Sequence, residues 1–598
     1  MMRPFRAKER ALQGAIAACI GRSAARKSGP KRTGGATMRI AGWLAAACLV
    51  LTAPATAKDA SATLWRGGTI ITMDGETPAT AEAVVERDGK IVFVGPELGA
   101  REAAGKDART RDLNGATLLP GFVDAHSHFA IGLQTAGGLD LADPAIGDTA
   151  SVSKLLAAVK AYGAKVPKGG WVVVWRYDDA QLAERRHVTR AELDGIMPDR
   201  KVVLLHISLH GLVANSAALK AAKLRDGMKP PAGGVMPSDE KGRLTGLLFE
   251  KAMLPMSAVL PQPSNEARLA ALDGVQMRYA REGFTWAQDG ATNPVDLAFL
   301  TSPAAQAMLK IDLALLPFAM TGIDAVLENP AMTPGARFGR VKLQGIKFTL
   351  DGSPQARTAF FTRDYALGSP DGQHPWHGQP VTSDAAFQAL ARKVHERGWQ
   401  IFVHANGDAA IDMAIRGFDA LGIKAADNRR PVVIHSQFMR PDQIPAYVRI
   451  GVGPTYFSNH TFYFADTHRR NFPDEVVDFI SPFTASRAAG LIPSNHSDYP
   501  VTPLDTRAQM WSAMARTSRS GVVSGDGQRE NAFQALQALT TGPAWQVFEE
   551  DRRGRIKAGL LADFVVLDRN PLTTPVDQIR AIKVLETVKE GETVWRAN

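Results

Sequence analysis

Two histidines one residue apart, His126 and His128, follow Asp124 at the end of the stretch LLPGFVDAHSHF. In an extended chain side chains alternate faces, so the two imidazoles share one side. Imidazole nitrogens grouped in this way, with a carboxylate nearby, are what a divalent cation takes as ligands. Four further groups of the same kind end apolar stretches along the chain. These are Lys347 in LQGIKFTLDG, His404 in QIFVHANGD, His435 in PVVIHSQ and Asp498 in IPSNHSDYP. Taken singly, each histidine reads as a hydrogen-bonded core residue and the lysine as a salt-bridge partner. Together, on five stretches with apolar residues at the alternate positions, they point to one shared metal site.

Something must bring five strand ends together. Eight apolar stretches read as strands: 117–124, 284–289, 312–318, 341–350, 400–406, 431–437, 451–457 and 490–497. Helical patterns separate most of them, as in AAFQALARKVHERG before the fifth. Strands alternating with helices predict a (β/α)8 TIM-like barrel over 117–544, an α/β fold whose chemistry sits at the C-terminal ends of the strands. The first gap is too long for one helix. Residues 139–270 carry strands and helices of their own and read as a unit inserted after strand one. Removing them leaves about 250 residues, a usual barrel length. Short β segments with Gly and Asp-Gly turns at both ends, 58–116 and 545–598, predict a small composite β-sandwich domain.

The chain has 598 residues, 45% hydrophobic and 22% charged, an ordinary composition for a large globular enzyme. Its formal net charge of +10 does not indicate a nucleic-acid partner. Residues 1–57 hold ten Lys/Arg and a single acid, Glu9, so the other 541 residues are close to neutral. From Met38, the expected start, one arginine, an apolar run over 40–51 and Ala55-Thr56-Ala57 follow the pattern of a secretory signal. Cleavage after Ala57 predicts an exported protein, periplasmic or secreted, with no stable membrane span. The two cysteines, Cys19 and Cys48, both precede that point, so neither a disulfide nor a cysteine nucleophile is expected.

The ordered motifs GFVDAHSH, DGSPQARTA, HANGDAAI, HSQ, HSDYPVTPLD and GRIKAGLLADFVVLD resemble the amidohydrolase superfamily over nearly all of the chain after residue 57. The likeness is greatest to its amidohydrolase-3 branch, which includes N-substituted formamide deformylases. The resemblance implies one or two divalent metals, zinc by default. His126 and His128 would hold the more buried one, and His404 and His435 the more exposed one. Lys347 would bridge them if carboxylated, a modification open to a lysine that burial keeps neutral. Asp498 would be both a ligand and the general acid/base. The implied reaction is hydrolysis of an amide-type C–N bond in a small molecule (N-acyl, N-substituted formamide or cyclic amide) by metal-activated water.

His210 and Asn215 match positions near the substrate in the branch, and His460 would contact it from the rim after strand seven. Asp124 is expected to orient one imidazole. His496 departs from the Gly or Ser more usual near Asp498. Deaminases of the superfamily typically place a glutamate three residues after the fifth-strand histidine, where this chain has Gly407 followed by Asp408. Deamination is therefore one alternative, and a secreted metal-binding protein without catalysis is another.

Overall fold

The computed structural model describes residues 62–135, 138–141 and 149–598; the leader and its cleavage point lie outside the described residues. The two chain ends share one eight-stranded sheet. Its order is Glu592–Arg596, Val584–Lys589, Phe564–Leu567, Thr117–Pro120, Thr63–Ile71, Thr80–Arg87 and Lys90–Gly95, with Arg109–Asp112 also paired to Thr63–Ile71. The ends meet in the antiparallel ladder that sets Val565 opposite Leu119. Trp65, Ile70, Leu118, Phe564 and Val566 close its core.

The expected first barrel strand is divided. Thr117–Pro120 belongs to the chain-end sheet, and only Phe122–Val123 joins the inner strands. Gly121 makes the crossing possible, because a Cβ there would lie 2.4 Å from Thr285 Cγ2. The boundary read at residue 117 thus falls inside a strand of the other sheet.

Inside lie two five-stranded sheets, mostly parallel. One carries Phe122–Val123, Phe284–Thr292, Asp312–Pro317 and Val341–Leu343 in parallel, plus the short antiparallel Arg337–Phe338. The other carries Gly345–Thr349, Gln400–Ala405, Val432–His435, Gly453–Tyr456 and Ser494–Asn495. Phe318 bridges Lys347 where the two sheets meet. Strands such as Asp312–Pro317 and Gln400–Ala405 are buried throughout, as parallel strands covered on both faces must be. Their covering helices are amphipathic. Asp384–Glu396 starts on a Ser383 cap and turns Phe387, Ala391 and Val394 inward.

The result is an α/β fold with parallel sheets in TIM-barrel-like order. Among the described residues no ladder joins the last inner strand to the first. Val123 N–H donates instead to Leu539 O, and Asn495 N–H to Ala538 O, both at 2.9 Å, so the chain at 538–539 lies between them.

Residues 139–250 contain a fourth sheet, of six strands. Leu139–Asp140, Trp171–Tyr177 and Lys201–His206 run parallel, followed by antiparallel Gly211–Ala214, Leu247–Glu250 and Gly234–Val235. It has its own core around Leu155, Val159, Val172, Val174 and Leu204. Helix Asn265–Arg281 packs Leu272, Val275 and Tyr279 against the main core, so the chain is back there by residue 272. No helix of the described residues is long and apolar enough to cross a membrane.

Candidate metal centre

The C-terminal ends of the inner strands converge on a cavity of about 270 Å³. His128, Lys347, His404, His435 and Asp498 line it together with His210. His126 lies beneath, fully buried. Its Nε2 and that of His128 each stand 3.3 Å from Asp498 Oδ1. Lys347 Nζ is 3.4 Å from His126 Nε2. On the other side His435 Nε2 faces His404 Nδ1 at 3.0 Å. The five expected strand ends therefore bring their groups to one place.

The backbone aims two of these groups at a cost. His435 (φ +71°) and Asp498 (φ +52°) are both left-handed, a conformation that non-glycine residues adopt uncommonly and at some energetic cost. Gly290 is needed for another reason: a Cβ there would sit 2.1 Å from the His126 ring.

Hydrogen bonding fixes which ring nitrogen of each histidine faces inward. His126 Nδ1 donates to the Gln288 side-chain oxygen at 2.9 Å, leaving Nε2 as a lone pair towards Asp498. His404 Nε2 donates to Gly352 O at 3.1 Å, leaving Nδ1 as a lone pair towards His435. Asp498 Oδ1 and His435 Nδ1 are buried without hydrogen-bond partners. A lone pair turned on a carboxylate in a buried pocket, as His126 Nε2 is on Asp498, needs a positive charge between them. The donor set of imidazole nitrogens and a carboxylate fits a divalent cation, and His126, His128 and Asp498 have ligand atoms within 4.8 Å of one another.

The electrostatics agree. Burial, reinforced by Lys347, pushes His126 down to about 4, so its lone pair is free at neutral pH. Burial also holds His404 and His435 well below the usual imidazole range, helped by His210 and by His404 respectively. Burial opposes charge on Asp498, yet the surrounding imidazoles, His126 and His128 first, outweigh it and keep the carboxyl well below its usual range. Lys347 is pushed down to about 7 by burial, with Asp498 pulling the other way.

Three expectations are corrected. Asp124 does not orient an imidazole: it accepts from Ser127 Oγ and from Gln288 N–H at 3.2 Å, and it is Gln288 that holds His126. Asn215 stands away from the cavity. Its Oδ1 accepts from Val202 and Ala218 N–H and its Nδ2 donates to Met197 and Arg200 carbonyls, so the side chain is used up capping helix Ser216–Ala221. His460 is not on the cavity wall either: its Nδ1 pairs with His468 Nε2 at 3.0 Å and its ring packs on Phe457.

Other residues enter unannounced. His210 Nδ1 lies 2.9 Å from Glu250, which also accepts from Thr358 Oγ1. Burial opposes protonation of His210, but Glu250 outweighs it and raises its pKa. Ser208 lines the same cavity, its Oγ 2.7 Å from His206 Nδ1, while His206 Nε2 is 2.8 Å from Asp179. A glutamine inside the apolar strand FTWAQDG was the one sequence signal for Gln288; Glu250 and Ser208 carried none. His496 is fully buried between His126 and His435, with neither ring nitrogen hydrogen-bonded.

Known proteins share this architecture. The model of the amidohydrolase family Amidohydro_3 matches residues 109–595. A putative amidohydrolase of Bacillus subtilis, YtcJ, is 27% identical over 550 residues, covering 89% of this chain and 99% of that protein. An N-substituted formamide deformylase of Arthrobacter pascens is 26% identical over 524 residues, covering 86% and 94%. The crystal structure of an uncharacterized metal-dependent hydrolase from Pyrococcus horikoshii shares the fold with a TM-score of 0.67 at 21% identity, covering 86% of this chain and 99% of that one. With the strand-end ligand cluster and a family match over most of its length, the chain belongs to the amidohydrolase superfamily, in its amidohydrolase-3 branch, as an enzyme acting on carbon–nitrogen bonds.

Proposed function

We propose that the enzyme hydrolyses an amide-type C–N bond in a small, uncharged molecule, such as an N-substituted formamide, an N-acyl compound or a cyclic amide. The observation that carries this reading is the Asp498 carboxylate, shared by His126 and His128 on the wall of a cavity that His404 and His435 also line. On this reading the inner strands close as one barrel, the chain-end sheet forms its companion β domain, and residues 139–270 are the insertion.

Divalent cations at the two sets of lone pairs, zinc by ligand type, would supply an acidified water and polarise the scissile carbonyl. Asp498, held ionised, accepts a proton from water and returns it to the leaving nitrogen. His210, braced by Glu250 and lining the same cavity, offers its second ring nitrogen to the carbonyl oxygen. Lys347, kept near neutrality by burial, is set up for carboxylation and would then bridge the two cation positions.

The cavity walls support an uncharged substrate. Ile131, Leu209, Met253, Leu254, Phe318 and Met320 give it an apolar side, and Lys347 is the only Lys or Arg lining it among the described residues. Beyond the metal positions, His210 and Lys347, a substrate carboxylate would find no cationic side chain on the wall. The deformylase relative, by its name, acts on N-substituted formamides.

Deamination is disfavoured at Gly407. A Cβ there would lie 1.9 Å from Phe360 O, so no glutamate fits. The adjacent Asp408 is already engaged by Thr362 and Arg440. We also propose export, resting on the signal pattern before Lys58; amino-terminal sequencing of the mature protein should begin at Lys58.

Metal analysis paired with a turnover panel of formamides, N-acyl amines, N-acyl amino acids and small lactams tests the reading. Bound metal with hydrolysis of uncharged amides is expected. Bound metal with no amide hydrolysed would favour a non-catalytic binder, and ammonia release from an amino-heterocycle would favour a deaminase.

A further inference from the structure

A second cavity, of about 240 Å³, lies apart from the metal centre between three segments of chain. Arg185, Arg186 and His187 line it from the inserted unit. Gln355 and Arg357 come from the DGSPQARTA loop after the fourth strand, and Thr467, Arg470 and Asn471 from the segment after the seventh. Four arginines thus line one small space. Arg186 is neutralised by a two-pronged pair with Glu192, at 2.7 and 3.1 Å. Among the described residues, Arg185, Arg357 and Arg470 form no ion pair, and the Arg357 guanidinium makes a single hydrogen bond, to Leu367 O at 3.3 Å.

The one carboxylate on the wall does not balance them. Asp179 is held by His206 Nε2 at 2.8 Å, with His187 Nδ1 at 3.5 Å. Arg357 is half-buried and held at φ +59°; Asp179 attracts it and Arg470 repels it. Gathering like charges around a partly enclosed space costs energy unless something of opposite sign enters. Guanidinium forks match the oxygens of carboxylates and phosphates, and the arginines that line this space come from three segments of chain. Neutral groups complete the wall. The Gln355 amide oxygen is buried without a partner, and turning that amide presents its NH2 to the cavity instead.

We propose that this cavity is a second binding site, for a small molecule bearing a carboxylate or phosphate group, with Arg357 and Arg470 as its principal ligands and Arg185 closing the mouth. It stands independently of the metal centre, since none of its lining residues lines the catalytic cavity.

Calorimetric titration of the full protein with inorganic phosphate and with succinate, at constant ionic strength, tests the site. The titration is run on metal-loaded and on chelator-treated protein. One saturable site for at least one probe is expected, retained after metal removal. It should weaken by about tenfold or more in Arg357→Gln and in Arg470→Gln, and be unchanged in Arg449→Gln, whose guanidinium pairs with Asp419 far along the chain. Should Arg357→Gln fail to fold, Arg470→Gln and Arg185→Gln, both at exposed positions, decide. Absence of saturable binding by both probes would overturn the proposal. So would binding that vanishes with the metal, or binding indifferent to the arginine substitutions.

Discussion

Two clusters of histidine and aspartate lie in this molecule, and they are built to opposite rules. In the inserted unit His206 has both ring nitrogens occupied, one by Ser208 and one by Asp179, and Tyr177 Oη sits 3.1 Å from His187 Nδ1. The directions there are consistent. Ser208 N–H donates to His206 Nδ1 at 3.1 Å, so that nitrogen is the acceptor and Nε2–H goes to the carboxylate. Asp178, Asp179 and His206 come close enough to be taken for a metal site, but their charges and hydrogen bonds already answer one another. At the strand ends the opposite holds. The lone pair of His126 is turned inward on the Asp498 carboxylate, and Asp498 Oδ1 and His435 Nδ1 are left without partners. Residue type does not separate the two clusters. What separates them is whether the lone pairs converge unsatisfied.

The largest effect expected from breaking that contrast is at Asp498. Asp498→Ala should lower kcat by about 10²–10⁴-fold, while metal at His404 and His435 is retained; near-full turnover would remove Asp498 from the proton transfer. Next come the ligands themselves. Metal content measured by elemental analysis should fall by about one equivalent per chain in His126→Ala and in His404→Ala. It should stay unchanged in His206→Ala and Asp179→Asn. Equal losses in both clusters would abolish the distinction drawn above.

Gln288→Met leaves every ligand in place but frees the His126 ring. A loss of metal affinity of about 10–100-fold is expected, the usual cost of removing a partner that orients a ligand. Chelator competition reads it directly, and unchanged affinity would mean that packing against Gly290 alone holds the ring.

Lys347 supplies a pH test on metal-free protein. Burial holds its pKa near 7 in the folded chain, against about 10.4 when unfolded. Between those values the unfolded chain binds the extra proton, so stability contributed by this site should rise with pH from about 7 to about 10. Urea unfolding at about pH 6, 8 and 9.5 should show that rise in the wild type and a flatter profile in Lys347→Met. Identical slopes would assign the effect to other groups. The smallest functional effect is expected at Asn215. Asn215→Ala should cost about 1–3 kcal/mol of stability through the lost cap and buried hydrogen bonds, with kcat unaltered.

The sequence located the ligand types because strand period and apolar neighbours constrain where a side chain at a strand end can point. It was silent on partners that arrive from distant chain. Gln288 reaches His126 across 162 residues, and Glu250 meets Thr358 across 108. Asn215 and His460 misled for the same reason. Their types suit substrate contact, but the neighbours that absorb their hydrogen bonds, Val202 with Met197 and His468, come from other elements. The strand boundary at Gly121 was hidden because both halves of 117–124 are apolar, and only the Thr285 methyl shows why the chain changes sheets there. Likewise, alternating strands and helices predict eight strands in order, but not the chain at 538–539 that lies between the last and the first.

Anomalous scattering from crystals of the purified protein, recorded across the absorption edge of the metal it carries, would locate the cations. A peak is expected among His126 Nε2, His128 Nε2 and Asp498, with a second against His404 and His435, and no peak in the inserted unit. A peak between Asp178, Asp179 and His206, or none at the strand ends of metal-replete protein, would contradict this placement.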